Sequence, residues 1–260
     1  MSTRVLLALA AASLLLTVTG CGSDGSGAGG GADGGGTATL NVLAAASLTE
    51  SFTTLAREFE ADHPGASVEL AFDSSATLAE QVNAGAPGDV LATADERTMR
   101  LVADRGNVSG RPRVFATNHL QLAVPRDNPA GIETFADLDR PGVAYVVCVD
   151  SAPCGKLAAT VLKAAGITAE PVSEEVDVKA VLSKVQLDEA DAGLVYATDA
   201  VAAGDRVRAI DVPASEQNLN RYPIAALEGA DEPTLARAWV RLVTGAQGQR
   251  VLRDAGFGKP

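Results

Sequence analysis

Short apolar runs alternate with stretches whose apolar residues recur at helical spacing, and this alternation constrains the fold more than any other feature. Residues 39–45 (TLNVLAA) read as a buried strand, and 48–61 carry Leu48, Phe52, Leu55, Ala56 and Phe59 on one helical face. Further strands are expected at 67–72, 89–93, 120–125, 143–149, 192–196, 206–212 and 222–227. Helices are expected at 76–84, 95–104, 155–165, 178–189 and 232–254, the last with Trp239, Leu242 and Val243 facing inward. The expectation is an α/β protein with parallel sheets and helices on both faces. No internal repeat is visible, and 260 residues suffice for one large or two modest cores.

The chain does not begin with this pattern. Arg4 precedes an apolar run at residues 5–16, too short for a comfortable membrane span, and Val18-Thr19-Gly20-Cys21 follows. Small residues ahead of a cysteine resemble a bacterial lipobox, which implies a signal peptide over 1–20 and a lipid anchor on Cys21. An ordinary signal peptide with an incidental cysteine is the alternative. Residues 22–37 are almost all Gly, Ser, Ala and Asp and read as a tether, because they have no apolar surface to bury. The expected location is extracytoplasmic, at the cell membrane. With Cys21 lipidated, Cys148 and Cys154 are left as an even pair in an exported chain. A disulfide is expected there, with two buried thiols as the alternative. Two cysteines and two distant histidines offer no metal site.

The polar stretches 116–120, which follow an Arg-, Gly- and Pro-rich loop, and 211–222 read as crossings between two lobes. Lobe I would comprise 38–118 and 211–260, lobe II 119–210. Ligands of open α/β sheets bind beyond the carboxyl ends of strands, where helices begin. Ser47, Ser75, the segment Asp150 to Gly155, and Asp177-Val178 all stand at such turns. Helix N-termini expose unpaired N–H groups and partial positive charge, so several of them together bind an anion without lysine or arginine. A net charge of −12 is then no obstacle to anion capture, and it disfavours nucleic acid as a partner.

Taken in order, these segments resemble the periplasmic molybdate-binding protein family across nearly all of 39–258. The carrying motifs are AAASLT from Ala44; FDSSATLAEQ from Phe72, running on into Gly85-Ala86-Pro87-Gly88-Asp89; Pro153-Cys154-Gly155; Asp177-Val178; and Gly193-Leu194-Val195-Tyr196 with Thr198-Asp199-Ala200. The resemblance implies a two-lobed type II binding-protein fold with a ligand cleft between the lobes. It implies that Ser47 and Ser75 give hydroxyl and N–H donors, Cys154 and Val178 give backbone N–H groups, and Tyr196 gives its phenolic O–H. The ligand would be molybdate or tungstate, with no cofactor and no directly bound metal. The partners would be an ABC permease and its ATPase, with a monomer as the default. Two residues depart from the family pattern: Cys154 stands where alanine is common, and Asp73 where a small neutral residue is usual, so Asp73 is expected to face away or cap the next helix.

Each candidate also has a plainer reading. Ser47 with Glu50 matches a capping box, Ser75 and Asp177 are ordinary caps, and Tyr196 is a buried tyrosine. His63 and His119 look like loop residues. A secreted hydrolase is the rival class, but no G-x-S-x-G elbow occurs. The same fold holding sulfate, phosphonate or an organic acid is the nearer alternative, although no arginine falls in the helix-opening turns. A receptor that reports its ligand state to a membrane sensor is a third.

Overall fold

The computed structural model describes residues 37–213 and 215–260. The proposed signal peptide, Cys21 and most of the tether lie outside the described residues. The strands in chain order are β1 (Ala38–Ala45), β2 (Ala66–Asp73), β3 (Val90–Ala92), β4 (Val108–Asn118), β5 (Leu120–Pro125), β6 (Tyr145–Cys148), β7 (Ser173–Glu175), β8 (Ala192–Tyr196), β9 (Val207–Asp211) and β10 (Asn220–Leu227). The α-helices are α1 (Thr49–Asp62), α2 (Ser75–Asn83), α3 (Glu96–Ala103), α4 (Pro153–Ala165), α5 (Val178–Gln186), α6 (Ala197–Ala203), α7 (Pro233–Thr244) and α8 (Ala246–Asp254).

The strands form two five-stranded sheets, ordered β2-β1-β3-β10-β4 and β7-β6-β8-β5-β9. The chain passes between them at His119 and again over residues 212–219. Both sheets are mixed rather than parallel: β10 runs antiparallel to β3 and β4, and β5 antiparallel to β8 and β9. The crossings explain this correction. A strand that has just crossed starts at the cleft and runs away from it, whereas β1, β3 and β8 run toward it. Thus Leu120, the first residue of β5, pairs with Tyr196, the last of β8, and Asn220 pairs with Asn118.

The stretch read as an Arg-, Gly- and Pro-rich loop is in fact β4, whose Pro112 sits on a sheet edge where no N–H is demanded of it. The C-terminal helical stretch is two helices meeting at Gly245. Neither the short strand β7 nor the helix α6 stands out in the sequence. Trp239 is fully buried between Phe52 and Phe59, both rings edge-on with centroids 5.5 Å away, and this cluster fixes α7 against α1. In the other lobe Gly193 lets α5 lie close on β8: a Cβ there would come within 2.7 Å of Val181 Cγ1. That close packing sets where the first turn of α5 points. Among the described residues no helix is long and apolar enough to cross a membrane.

Candidate functional site

The turns at the cleft ends of β1, β2, β6, β7 and β8 carry the chemistry. After β1 the chain makes a short 3-10 turn, Ala46–Leu48, before α1. Ser47 is buried there and makes no capping bond, so the capping-box reading fails. Ser75 is the first residue of α2 and is 1% exposed. Cys154 is the second residue of α4, Val178 the first of α5, and Tyr196 the residue before α6. All five line one cavity of about 20 Å³, together with Ala45, Ala46, Asp73, Ser74, Ala94, Pro153 and Asp177. Cavities begin to admit a water at roughly 10–15 Å³. The space is therefore small, and no lysine or arginine lines it.

The hydroxyl groups are oriented from behind. Ala94 N–H donates to Ser75 Oγ at 2.9 Å, leaving the serine proton to point forward. Asn220 Nδ2 donates to the Tyr196 oxygen at 2.6 Å, with the same consequence for the phenol. Ser47 Oγ lies 3.0 Å from the Tyr222 hydroxyl, which has Asn118 Nδ2 at 3.5 Å on its other side. With Asn118 donating to Tyr222 and Tyr222 to Ser47, the Ser47 proton too is left for the cavity. Burial, with the neighbouring Tyr222 hydroxyl, holds the Tyr196 phenol well above its ordinary range, so it remains a donor.

The backbone donors follow the same logic. Pro153 opens α4 without an N–H, and Lys156 N–H is bonded to Ala152 O at 3.0 Å, which leaves the Cys154 N–H among the free groups of the first turn. Asp177 is the cap expected from the sequence: its Oδ1 takes the N–H groups of Lys179 and Ala180 at 2.7 and 2.9 Å. The cap passes over Val178, whose N–H stays free toward the cavity. Capping and ligand binding are therefore compatible at this turn.

Cys148 and Cys154 are joined by a disulfide with Cα atoms 5.8 Å apart, tying the end of β6 to the first turn of α4. Gly155 follows because any Cβ there would overlap the Cys148 and Val149 carbonyl oxygens.

Asp73 departs from expectation. It neither faces away nor caps the inner N–H groups of α2; it lines the cavity, and its Oδ1 accepts from Ser74 N–H at 2.6 Å. It does so because it is the last residue of β2, one position before the turn. No local pattern marks Asn118, Asn220 or Tyr222 as supporting residues. Their partners lie 24 to 175 positions away in the chain.

The histidines take no part. His63 stacks on Phe59 at 4.0 Å and points Nδ1 at Phe59 O, and His119 lines none of this cavity. Among the described residues no group of His, Cys, Asp and Glu could hold a metal ion.

Comparisons with known proteins agree with this architecture. The family model of bacterial extracellular solute-binding proteins matches residues 40–258. The molybdate-binding protein ModA of Mycobacterium tuberculosis is 44% identical over 219 residues, which is 84% of this chain and 84% of that protein. Among solved structures, the periplasmic molybdate-binding protein of Azotobacter vinelandii superposes with a TM-score of 0.74 at 19% identity, covering 85% of this chain and 99% of that one. The sulfate-binding protein SubI of Mycobacterium tuberculosis gives 0.75 at 17%, covering 85% and 86%. The two structural likenesses show a shared fold, and the sequence matches show descent: the chain belongs to the bacterial extracellular solute-binding proteins, which are carriers rather than enzymes.

Proposed function

We propose that this protein captures molybdate or tungstate and delivers it to an ABC importer. The observation that carries the reading is the set of three hydroxyls, each with an amide N–H or a hydroxyl behind it, converging with two free helix N–H groups on one small cavity. Such an array donates from every side. It suits a fully deprotonated tetrahedral dianion and disfavours ligands that bring protons of their own. The 44% identical ModA proteins support molybdate as that dianion. Charge-assisted bonds to an oxyanion contribute roughly 1.5–3 kcal/mol each, enough in combination to offset desolvation and closure.

Ser47 and Ser75 come from one lobe, and Cys154, Val178 and Tyr196 from the other, so capture proceeds by hinge closure. The anion settles on one lobe and the second adds its donors, with the crossings at His119 and 212–219 as the hinge. The closed form then docks on the permease, which works with its ATPase. Cys21 would carry a lipid that holds the protein at the membrane as a monomer.

One observation favours a second reading. The Asp73 carboxylate at the cavity could accept a proton from hydrogenphosphate or a phosphonate. Isothermal titration with molybdate, tungstate, sulfate and phosphate decides between them. One-to-one binding of the first two, with no heat from phosphate, is expected. Phosphate binding without molybdate binding would transfer the assignment to the second reading, and silence from all four in folded protein would end both.

A further inference from the structure

We infer that Lys179 is a positioning residue that latches the two lobes shut through Glu50. This rests on the closure reading above and deepens it. Lys179 follows Val178 in the first turn of α5, and its Nζ lies 2.7 and 2.9 Å from the two carboxylate oxygens of Glu50, in the first turn of α1 on the opposite lobe. The same Nζ lies 2.9 Å from Asp199 Oδ1 in its own lobe. Among the described residues, Lys179–Glu50 is the only ion pair that joins the lobes.

The placement makes it more than a surface pair. Asp199 is fully buried, and its other oxygen accepts the Tyr196 N–H at 3.2 Å. Glu50 comes three positions after Ser47, and Lys179 one after Val178. A single ammonium thus ties together the three segments that carry Ser47, Val178 and Tyr196. The Lys179 side chain is 25% exposed and that of Glu50 50%, so solvent weakens the pair without abolishing it. Opening the cleft removes Glu50 and leaves Lys179–Asp199 intact. Glu50 is therefore the half that comes and goes, and its stabilisation is present only in the closed form. Other hydrogen bonds between the lobes, Arg97 to Ser151 O at 2.8 Å, Asn118 Nδ2 to Thr198 Oγ1 at 2.9 Å, and Asn220 Nδ2 to the Tyr196 oxygen at 2.6 Å and Pro153 O at 3.3 Å, align the lobes without pairing opposite charges.

An interaction made only after closure slows release and leaves capture unchanged. Glu50→Gln is therefore expected to raise the molybdate dissociation rate about 3- to 10-fold with an association rate within about 2-fold of wild type. Glu50→Lys should raise it further, whereas Lys179→Arg, which keeps the charge, should stay close to wild type. Stopped-flow measurements follow release, and thermal melts of the same variants exclude general destabilisation. Dissociation rates for Glu50→Gln and Glu50→Lys within 2-fold of wild type would overturn the latch. Should the wild type not bind molybdate at all, the binding assignment fails on its own. The latch is then read by small-angle scattering of the unliganded protein: a larger radius of gyration for Glu50→Lys than for wild type upholds it, and equal radii overturn it.

Discussion

If the cavity holds the anion as proposed, Asp73 and Tyr196 pull its affinity in opposite directions. In the proposed site Tyr196 donates with its proton oriented by Asn220, so Tyr196→Phe removes one charge-assisted bond and leaves the Asn220 amide only its longer bond to Pro153 O. A loss of roughly 10- to 100-fold in molybdate affinity is expected, read by calorimetry. Asp73 brings a carboxylate to the wall of the same cavity, one of its oxygens occupied by Ser74 N–H. Asp73→Asn keeps an acceptor for that N–H and removes the charge, so molybdate should bind about 3- to 30-fold tighter. Weaker binding in this variant would mean that the carboxylate orients Ser74 and Ser75 more than it repels the anion. Asp199 sets a pH dependence. Burial, only partly opposed by Lys179, raises its pKa from 3.8 to about 6. As pH falls through about 6 the folded protein takes up this proton before the unfolded chain does. The Asp199 contribution to stability therefore grows on acidification toward 3.8 and is lost again as pH rises through about 6. Asp199→Asn removes that contribution, so its melting temperature should fall more steeply than that of wild type between those two pH values.

Among the elements, those with strong periodicity were legible and those defined by long-range pairing were not. Helix α1 shows its buried face directly in Phe52, Leu55 and Phe59, and β5 and β8 are short apolar runs that needed no context. Strand β4 was hidden because Gly110, Pro112 and three arginines or serines disguise a strand that is stabilised by β10, more than a hundred residues later. The mixed sheet direction was hidden for the same reason, since strand order is a property of the crossings and not of any local pattern. In the candidate site, the turns carrying Ser47, Ser75, Cys154 and Val178 could be picked out because helix starts have local signatures, whereas Tyr196 precedes a helix that does not show in the sequence and came only with the family resemblance. Asn118, Asn220 and Tyr222 could not, because their role is to stand behind residues that are distant in sequence. The disulfide tests whether an element start matters to the site. It closes a short loop, and chain entropy alone assigns such a bridge about 2–3 kcal/mol of stability. Because it also anchors the turn that presents Cys154 N–H, the Cys148→Ser, Cys154→Ser double variant should lose molybdate affinity as well as melting temperature. Lower stability with unchanged affinity would show that Pro153 and Gly155 position the turn without the bridge.

At the scale of the whole molecule, a carrier with 33 acidic and 21 basic residues takes up an anion, which puts its long-range and short-range electrostatics in opposition. The short-range field comes from helix starts and oriented hydroxyls, and it falls off within a turn or so of the cavity. The long-range field is that of a net −12 and repels a dianion on approach. Salt separates the two contributions. Raising ionic strength from about 0.01 to 0.15 M shortens the screening length from roughly 30 to 8 Å, which removes most of the repulsion outside the cleft and little of the attraction inside it. The association rate of molybdate should therefore rise with salt, the reverse of an electrostatically steered encounter, while the dissociation rate changes only through the half-exposed Glu50–Lys179 pair. Stopped-flow association measured across a potassium chloride series reads the first directly. A rate that falls with salt would mean that the cleft presents net positive potential well beyond its walls, and that the fixed dipoles outweigh the charge of the whole chain even before contact.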